Sequence, residues 1–141
     1  MRQIISLQSN SISDLDSIAK QIKNFLSIGS IIFLEGDLGA GKTTFVSYFC
    51  KQFSIKMVQS PTYAIHQRYS HDQVVIDHFD LYRLETAEHI ESSGFFDLLE
   101  QSSDYTFVEW WDRVPRDQYP LERNKFLLTV FQGKYELFDG I

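Results

Sequence analysis

Hydrophobic positions along this chain follow two spacings, which predict alternating strands and helices. Apolar residues three or four apart over residues 15–26 predict an amphipathic helix, which Gly29 is expected to end. The same spacing over residues 45–53 predicts a second helix, covering 43–53. Two shorter helices are predicted at 85–92 and 94–99.

Continuous apolar runs predict strands that are buried on both faces. The runs over 30–35 and 105–109 are rich in β-branched and aromatic residues, which is typical of central strands in a parallel sheet. Shorter runs at 4–5 and 55–58 predict two further strands. Strands that alternate with helices in this way predict an α/β domain of three layers, with helices on both faces of a central sheet.

Two pairs of runs predict antiparallel hairpins. A polar segment joins the runs 63–69 and 74–79. A Gly-Lys pair separates the runs 126–131 and 135–138. We therefore predict a mixed, mainly parallel central sheet to which antiparallel hairpin elements are added.

Length, composition and charge limit the possible classes of protein. The chain has 141 residues, which predicts a single domain over 1–141, and its 43% hydrophobic content predicts a folded core. A net charge of −6 argues against direct binding of nucleic acid, whose phosphates carry the same sign. The single cysteine, Cys50, falls on the apolar side of the second helix and is predicted to be a core residue. One cysteine, no signal peptide and no long apolar run predict a cytoplasmic protein.

The segment between the first buried strand and the second helix has the pattern Gly, four residues, Gly-Lys-Thr, at 36–43. Glycines let backbone N–H groups face a phosphate, and the start of the helix adds the positive end of its dipole. Lys42 would reach the β and γ phosphates of a nucleotide, and the Thr43 hydroxyl would bind Mg²⁺. The alternative is a glycine-rich turn without a ligand, which the strand-loop-helix context disfavours. We therefore predict a nucleotide-binding loop.

A nucleotide site of this kind needs carboxylates at neighbouring strand ends, to bind the cation and to position water. Three acids are candidates, namely Asp77, Asp80 and Glu109. A carboxylate directly after a buried strand faces the crevice where open α/β sheets bind ligands, and Glu109 has this position. Its alternative is a solvated strand end. The spacing does not decide between Asp77 and Asp80.

Two further segments allow two interpretations each. Residues 60–63 read Ser-Pro-Thr-Tyr and lie beyond the second helix, where several nucleotidases carry a segment that responds to the γ-phosphate. The same four residues also fit an ordinary turn before a strand. Trp110 and Trp111 follow Glu109 and either cover a ligand or fill the core, and the core is the more usual place for a single tryptophan.

Four segments together closely resemble the TsaE family, small bacterial ATPases required for tRNA threonylcarbamoyladenosine biosynthesis. They are the loop and its continuation at 36–45, Ser-Pro-Thr-Tyr at 60–63, His-Phe-Asp-Leu-Tyr-Arg-Leu at 78–84 and Val-Glu-Trp at 108–110. The segments occur in the family's order and spacing, and the second and third are specific to it. The resemblance implies a fold like that of the P-loop nucleoside triphosphatases.

The resemblance also implies roles for individual residues. Thr43 and Glu109 would bind Mg²⁺, and Asp80 matches the acid proposed to act in hydrolysis, which favours it over Asp77. Thr62 would lie in the segment that responds to the nucleotide. The implied catalytic residues are Asp80, Lys42 and Thr62. The predicted ATP-binding residues are Asp37, Leu38, Gly39, Ala40, Gly41, Lys42, Thr43, Thr44 and, as a basic residue beside the second hairpin turn, Lys134.

Partners follow from the resemblance as well. Family members bind TsaB and TsaD, and ATP hydrolysis is thought to reset that complex after TsaD transfers the threonylcarbamoyl group to tRNA. The acidic chain fits contact with tRNA through those partners. One alternative is a nucleotide-dependent interaction module, in which ATP binding orders 60–63 and hydrolysis is incidental. Another is a small kinase, for which the chain offers no separate lid or acceptor site. A GTPase is disfavoured, because Asn-Lys-Phe-Leu at 124–127 lacks the aspartate of the guanine signature.

The chain departs from the family pattern at two positions. Trp111 stands where the family usually has a proline, and Leu15 stands where a threonine is common.

Replacing Lys42 with alanine is expected to weaken ATP binding, because the ammonium group would donate charge-assisted hydrogen bonds to the phosphates. A bond of this kind contributes about 1.5–3 kcal/mol, which corresponds to about 10- to 100-fold in affinity. Titration calorimetry with ATP measures the loss. Unchanged affinity in the Lys42→Ala protein would contradict the assignment.

Overall fold

The computed structural model describes residues 1–37, 39, 41–56, 58 and 64–141. The strands are β1 Arg2–Gln8, β2 Ser30–Glu35, β3 His66–His71, β4 Val74–Asp80, β5 Tyr105–Glu109, β6 Lys125–Phe131 and β7 Lys134–Asp139. The helices are α1 Leu15–Lys23, α2 Lys42–Lys51, α3 Ala87–Ser92 and α4 Phe95–Glu100.

Within the described residues, seven strands form one sheet in the order β1-β7-β6-β2-β5-β4-β3. The centre is parallel, because β2 pairs with both β5 and β6, and β5 pairs with β4. Antiparallel pairs complete both sides, with β3 beside β4 and with β7 between β6 and β1. The predicted α/β class with a mixed sheet and two hairpins is confirmed.

Apolar side chains cover both faces of the sheet. The α1 and α2 side buries Phe45, Phe49 and Phe107, and the rings of Phe49 and Phe107 meet edge to face with centroids 5.0 Å apart. The other side buries residues of α3 and α4 against Phe33 and Phe79. Each large side chain removed from water contributes about 1.5–3 kcal/mol. The two faces together hold β2 and β5 in the middle of three layers.

Cys50 belongs to the core, as predicted. It is buried in the layer between α2 and the sheet. Burial raises the pKa of its thiol to about 12, so the side chain stays neutral and has no thiolate to act as a nucleophile. In the part of the chain that the structure describes, no helix is both long and apolar enough to cross a membrane.

The first helix ends earlier than its apolar pattern predicts. The first helix ends at Lys23, and Gly29 lies instead in the turn before β2, with φ 90°. The N–H group of Phe25 donates to the carbonyl of Ile22, three residues back, at 3.0 Å, which is the hydrogen bond of a 3₁₀ turn. The helix ends at this turn, and the Phe25 side chain is exposed. The apolar pattern over residues 15–26 therefore extends beyond the end of the helix.

The strand predicted over 55–58 is wrong for its described residues. Ile55, Lys56 and Val58 lie in no strand, and Met57 is outside the described residues. The N–H group of Ile55 donates to the carbonyl of Cys50 at 3.2 Å, and the Ile55 side chain is buried beneath α2. This segment therefore closes the end of α2. The strand predicted over 63–69 begins at His66, because residues 64 and 65 form a bend.

Alternation along β4 places Asp77 and Asp80 on opposite faces of the sheet. Asp77 is 1% exposed, and its carboxylate accepts hydrogen bonds from His66 Nε2 at 2.7 Å and from Arg68 Nε at 2.9 Å. A second Arg68 bond, at 3.0 Å, makes that contact bidentate. Burial raises the pKa of Asp77, but the hydrogen bonds from His66 and Arg68 and the Arg68 charge outweigh it, so the pKa is lowered overall. Asp77 therefore ties β3 to β4.

Replacing Asp77 with asparagine is expected to lower the free energy of unfolding by about 2 kcal/mol at pH 7, because buried charge-assisted bonds are lost. The folded pKa lies below the unfolded value of 3.8. The stabilisation is therefore fully present above that value and is lost as the pH falls through the folded pKa. Urea denaturation of both proteins between pH 7 and pH 3 measures the difference, which should shrink below about pH 4. A difference that is constant over this range would contradict the charged role of Asp77.

Candidate functional site

The loop between β2 and α2 lies at the carboxyl end of the parallel strands. Gly41 caps the start of α2 with φ 100°, and Gly39 has φ 78°. These left-handed angles favour glycine. A Cβ on Gly41 would lie 3.5 Å from Tyr135 Oη, an ordinary contact, so the backbone angle rather than lack of space calls for glycine here. Leu38 and Ala40 are outside the described residues.

The sheet register brings two predicted acids to this loop. Leu34, at the end of β2, pairs with Glu109, and Asp80 pairs with Glu109 across β4 and β5. Glu109 is 5% exposed, and Asp80 is half-buried. Lys42, the first residue of α2, is also buried and lies within reach of Glu109. The structure thus brings Lys42, Asp80 and Glu109 together and places Asp77 on the other face.

The ammonium group of Lys42 has two partners in this arrangement. Its Nζ donates to the Gly36 carbonyl at 2.7 Å and lies 3.5 Å from Glu109 Oε1. A buried ammonium group is costly unless a carboxylate or a strong acceptor compensates it. Glu109 and Gly36 supply that compensation, so the lysine is held at the mouth of the loop.

The second carboxylate oxygen of Glu109 has a buried hydrogen-bond partner. Glu109 Oε2 accepts a hydrogen bond from His78 Nε2 at 2.7 Å, and the His78 side chain is fully buried. Burial raises the pKa of Glu109, but the hydrogen bond from His78 and the charge of Lys42 outweigh it, so the pKa is lowered overall. Glu109 is therefore a buried carboxylate that is ionised at neutral pH.

The environment of Asp80 shifts its pKa in the opposite direction. Burial raises the pKa of Asp80, and the negative charge of Glu109 adds to the rise. The backbone N–H of Tyr82 donates to Asp80 Oδ1 at 3.0 Å, which opposes the rise in part and fixes the carboxylate at the end of β4. Asp80 is therefore the more basic of the two acids, while Glu109 is the more strongly ionised. Divergent pKa values in a pair of acids are typical of functional sites.

Two adjoining cavities open around the loop. One, of about 270 Å³, lies between the loop and the ends of β4 and β5, and the other, of about 180 Å³, lies towards Phe131. Lys42 and Trp110 border both. The larger is also lined by the predicted residues Gly39, Gly41, Thr43, Thr44, Asp80 and Glu109, and the smaller by Asp37. The described loop residues therefore border two cavities that meet at Lys42 and Trp110.

A cavity of about 600 Å³ lies at the opposite end of the sheet, beside Gly29 and Arg123. The guanidinium group of Arg123 donates to the Gly29 carbonyl at 2.6 Å and to Thr106 Oγ1 at 2.7 Å. These bonds hold the amino ends of β2 and β5 together. Arg123, which also lines that cavity, is therefore engaged in holding the fold.

The two tryptophans have different environments. Trp111 is half-buried. It packs against the core and stacks on Phe33 with ring centroids 4.8 Å apart, as predicted, and it also borders the smaller cavity. The core prediction is wrong for Trp110, which is 38% exposed and borders both cavities. Its φ of 56° turns the chain sharply after Glu109, so consecutive side chains leave in different directions. Trp110 contacts Tyr82, with ring centroids 5.1 Å apart.

The roles of the predicted site residues stay predictions, among them those of Thr62 and Lys134. Thr62 lies outside the described residues, together with the rest of 60–63. Lys134 is exposed at the start of β7 and pairs in register with Phe131, which lines the smaller cavity. It lies one strand away from that cavity, and its contact with a nucleotide stays a prediction.

His78 is a site residue that the sequence pattern does not identify. It stands in the segment that resembles the TsaE family, but no role was predicted for it. The available signal was its position two residues before Asp80, because residues two apart on a strand share a face. Its partner, Glu109, is 31 residues away in the chain, so the contact depends on the β4–β5 register.

Comparison with known proteins identifies the family of this chain. The family model for "Threonylcarbamoyl adenosine biosynthesis protein TsaE" matches residues 9–134. A tRNA threonylcarbamoyladenosine biosynthesis protein TsaE from Rickettsia conorii is 36% identical over 90% of this chain and 78% of the relative. The protein of the same name from Bacillus subtilis is 35% identical over 79% of this chain and 69% of the relative.

A solved structure has the same fold. The crystal structure of YdiB from Bacillus subtilis superposes with a TM-score of 0.65 at 25% identity, covering 97% of this chain and 84% of YdiB. The family match extends over the loop, both acids and His78. The chain therefore belongs to the TsaE family of proteins of tRNA threonylcarbamoyladenosine biosynthesis.

Proposed function

We propose that this protein is a Mg²⁺-dependent ATPase whose hydrolysis of ATP supports a TsaB–TsaD complex in the threonylcarbamoylation of tRNA adenosine. The observation that carries the proposal is the convergence of Lys42, Thr43, Asp80 and Glu109 on one cavity at the start of α2. The names of the relatives support the pathway. The geometry of the cavity supports the reaction.

The residues at this cavity fit a magnesium ion. Glu109 is a buried and ionised carboxylate, and Thr43, whose side chain carries a hydroxyl group, is among the residues that line the same cavity. Mg²⁺ prefers oxygen ligands and in nucleotide sites combines one or two protein groups with phosphates and water. Thr43 and Glu109 would hold the ion, which supplies neutralising charge to the phosphates when bound.

The loop fits the phosphate chain of ATP. The start of α2 borders the larger cavity, and the free N–H groups and dipole of a helix start favour an anion there. Lys42 would exchange its bond to the Gly36 carbonyl for a phosphate oxygen, which carries more negative charge. Lys42 and the N–H groups would then stabilise the charge on the transferring phosphoryl group.

Asp80 fits the task of positioning water. Its raised pKa makes it a better proton acceptor than an ordinary aspartate, and the Tyr82 N–H holds its orientation. In the reaction, water forms a bond to the γ-phosphorus as the bond to the ADP oxygen breaks. Asp80 would orient that water and receive its proton.

The acidic chain supports an indirect role in tRNA modification. Its net charge of −6 opposes binding to the phosphate backbone of tRNA. We therefore assign contact with tRNA to TsaB-like and TsaD-like partners. The task of this chain would be to couple ATP hydrolysis to their cycle.

Replacing Asp80 with asparagine is expected to slow ATP hydrolysis by about 100-fold or more while ATP still binds, because the amide cannot accept the proton. Phosphate release in the assembled complex measures hydrolysis, and calorimetry measures binding. Asp77→Asn is the matched control, because it makes the same change on the same strand but on the other face. Hydrolysis that is normal in Asp80→Asn, or equally slow in both variants, would contradict the role of Asp80.

One experiment can test separately whether the partner complex needs ATP hydrolysis or only ATP binding. With TsaB-like and TsaD-like partners, a non-hydrolysable ATP analogue is expected to support complex assembly but not repeated rounds of tRNA modification. The number of modified tRNA molecules per complex measures this directly. If the analogue sustains every later round, the protein is a nucleotide-dependent interaction module. A pull-down with this protein from the source cell tests the process itself. If it recovers neither partner, with or without ATP, the proposed process is wrong.

A further inference from the structure

His78 is the one fully buried histidine among the described residues, and it contacts the most buried acid of the site. Its Nε2 lies 2.7 Å from Glu109 Oε2. Because the ionised carboxylate can only accept, the imidazole must carry its proton on Nε2 and donate it. Among the described residues, His78 Nδ1 has no hydrogen-bond partner. The imidazole therefore acts through one nitrogen only.

The two oxygens of Glu109 have different environments as a result. His78 holds Oε2 on the buried side, and Oε1 lies 3.5 Å from Lys42 Nζ, where the cavity opens. A glutamate side chain has three rotatable bonds, so a carboxylate without a second contact would sample several orientations. The bond from His78 selects the orientation in which one oxygen faces the loop.

The sheet makes this contact specific. His78 shares a face of β4 with Asp80, and Asp80 pairs in register with Glu109 on β5. The imidazole therefore reaches diagonally across the two strands from beneath the site. With no exposed surface, it cannot touch a nucleotide that occupies the cavity.

We propose that His78 is a positioning residue, which aims Glu109 Oε1 at the cation site through the bond from Nε2 to Oε2. This inference rests on the proposed Mg²⁺–nucleotide function. Partners that orient a metal-binding side chain typically change the affinity for the metal by 10- to 100-fold when they are removed. The competing explanation is that His78 only fills the core, in which case its loss costs stability alone.

Two substitutions distinguish these explanations, because each amide imitates one nitrogen of the imidazole. The amide nitrogen of glutamine reaches the position of Nε2, whereas that of asparagine reaches the position of Nδ1, which has no partner. His78→Gln should therefore preserve the hold on Glu109. His78→Asn should lose it although it is equally polar.

The experiment measures ADP affinity by calorimetry with Mg²⁺ and again with EDTA, and thermal unfolding of the nucleotide-free proteins. Wild type is expected to bind ADP more tightly with Mg²⁺. His78→Asn should lose about 10-fold or more of this Mg²⁺ effect, with the affinity in EDTA unchanged. His78→Gln should keep the effect within about threefold of wild type.

A double substitution tests whether His78 acts through Glu109. In a Glu109→Ala background, adding His78→Asn should change the Mg²⁺ effect no further, because there is no carboxylate left to orient. A further loss in that background would overturn the proposal. So would equal losses in His78→Gln and His78→Asn, or loss of affinity in EDTA as well as in Mg²⁺.

The outcomes also separate this proposal from the function on which it rests. If wild type binds ADP equally well with Mg²⁺ and with EDTA, the metal-dependent site is wrong and both proposals fail. If wild type shows the Mg²⁺ effect and a folded His78→Asn protein retains it, only the role of His78 fails. If His78→Asn does not fold, His78→Gln decides the question: loss of the Mg²⁺ effect in that folded protein overturns the proposal, and its retention supports it.

Discussion

The parallel pairing of β2 with β5 is the constraint on which the rest of the site depends. Parallel strands end at the same edge of a sheet, so the loop after β2 and the acid at the end of β5 are neighbours. The contact of Lys42 with Glu109 follows from this pairing. The pairing is itself secured by aromatic layers on both faces, with Phe107 on one side and Phe33 on the other. Core packing therefore places the charges.

Much of this arrangement could be predicted from the sequence, because the signals were strong where burial is complete. The strands predicted over 30–35 and 105–109 match β2 and β5 at both ends. Almost all of their residues are buried, so both segments are apolar except for Ser30 and Thr106, and a glutamate marks the end of each strand. The glycines of the loop were equally informative, since Gly39 and Gly41 adopt angles that other residues rarely accept.

The remaining features depend on information that is not local. Asp77 and Asp80 could not be distinguished by spacing, because Ile76 and Phe79 are both buried and the two faces of β4 look equally apolar. The different environments of Trp110 and Trp111 depend on the left-handed backbone angle of Trp110, which the pattern of side chains does not predict. The role of His78 depends on a strand register. Residues of this kind are found only when the neighbouring strand is known.

The alternation along β4 has a consequence for how the chain can change in length. β4 has seven residues and carries two acids with separate tasks, one tying the hairpin together and one facing the loop. One residue inserted between Asp77 and Asp80 would turn Asp80 into the apolar layer that contains Phe79. An insertion in the two-residue turn at Asp72 would lengthen only an exposed loop. β4 thus tolerates exchange of side chains more readily than gain or loss of a residue. The spacing of three residues between Asp77 and Asp80 has to be kept for both acids to stay on their faces of the sheet.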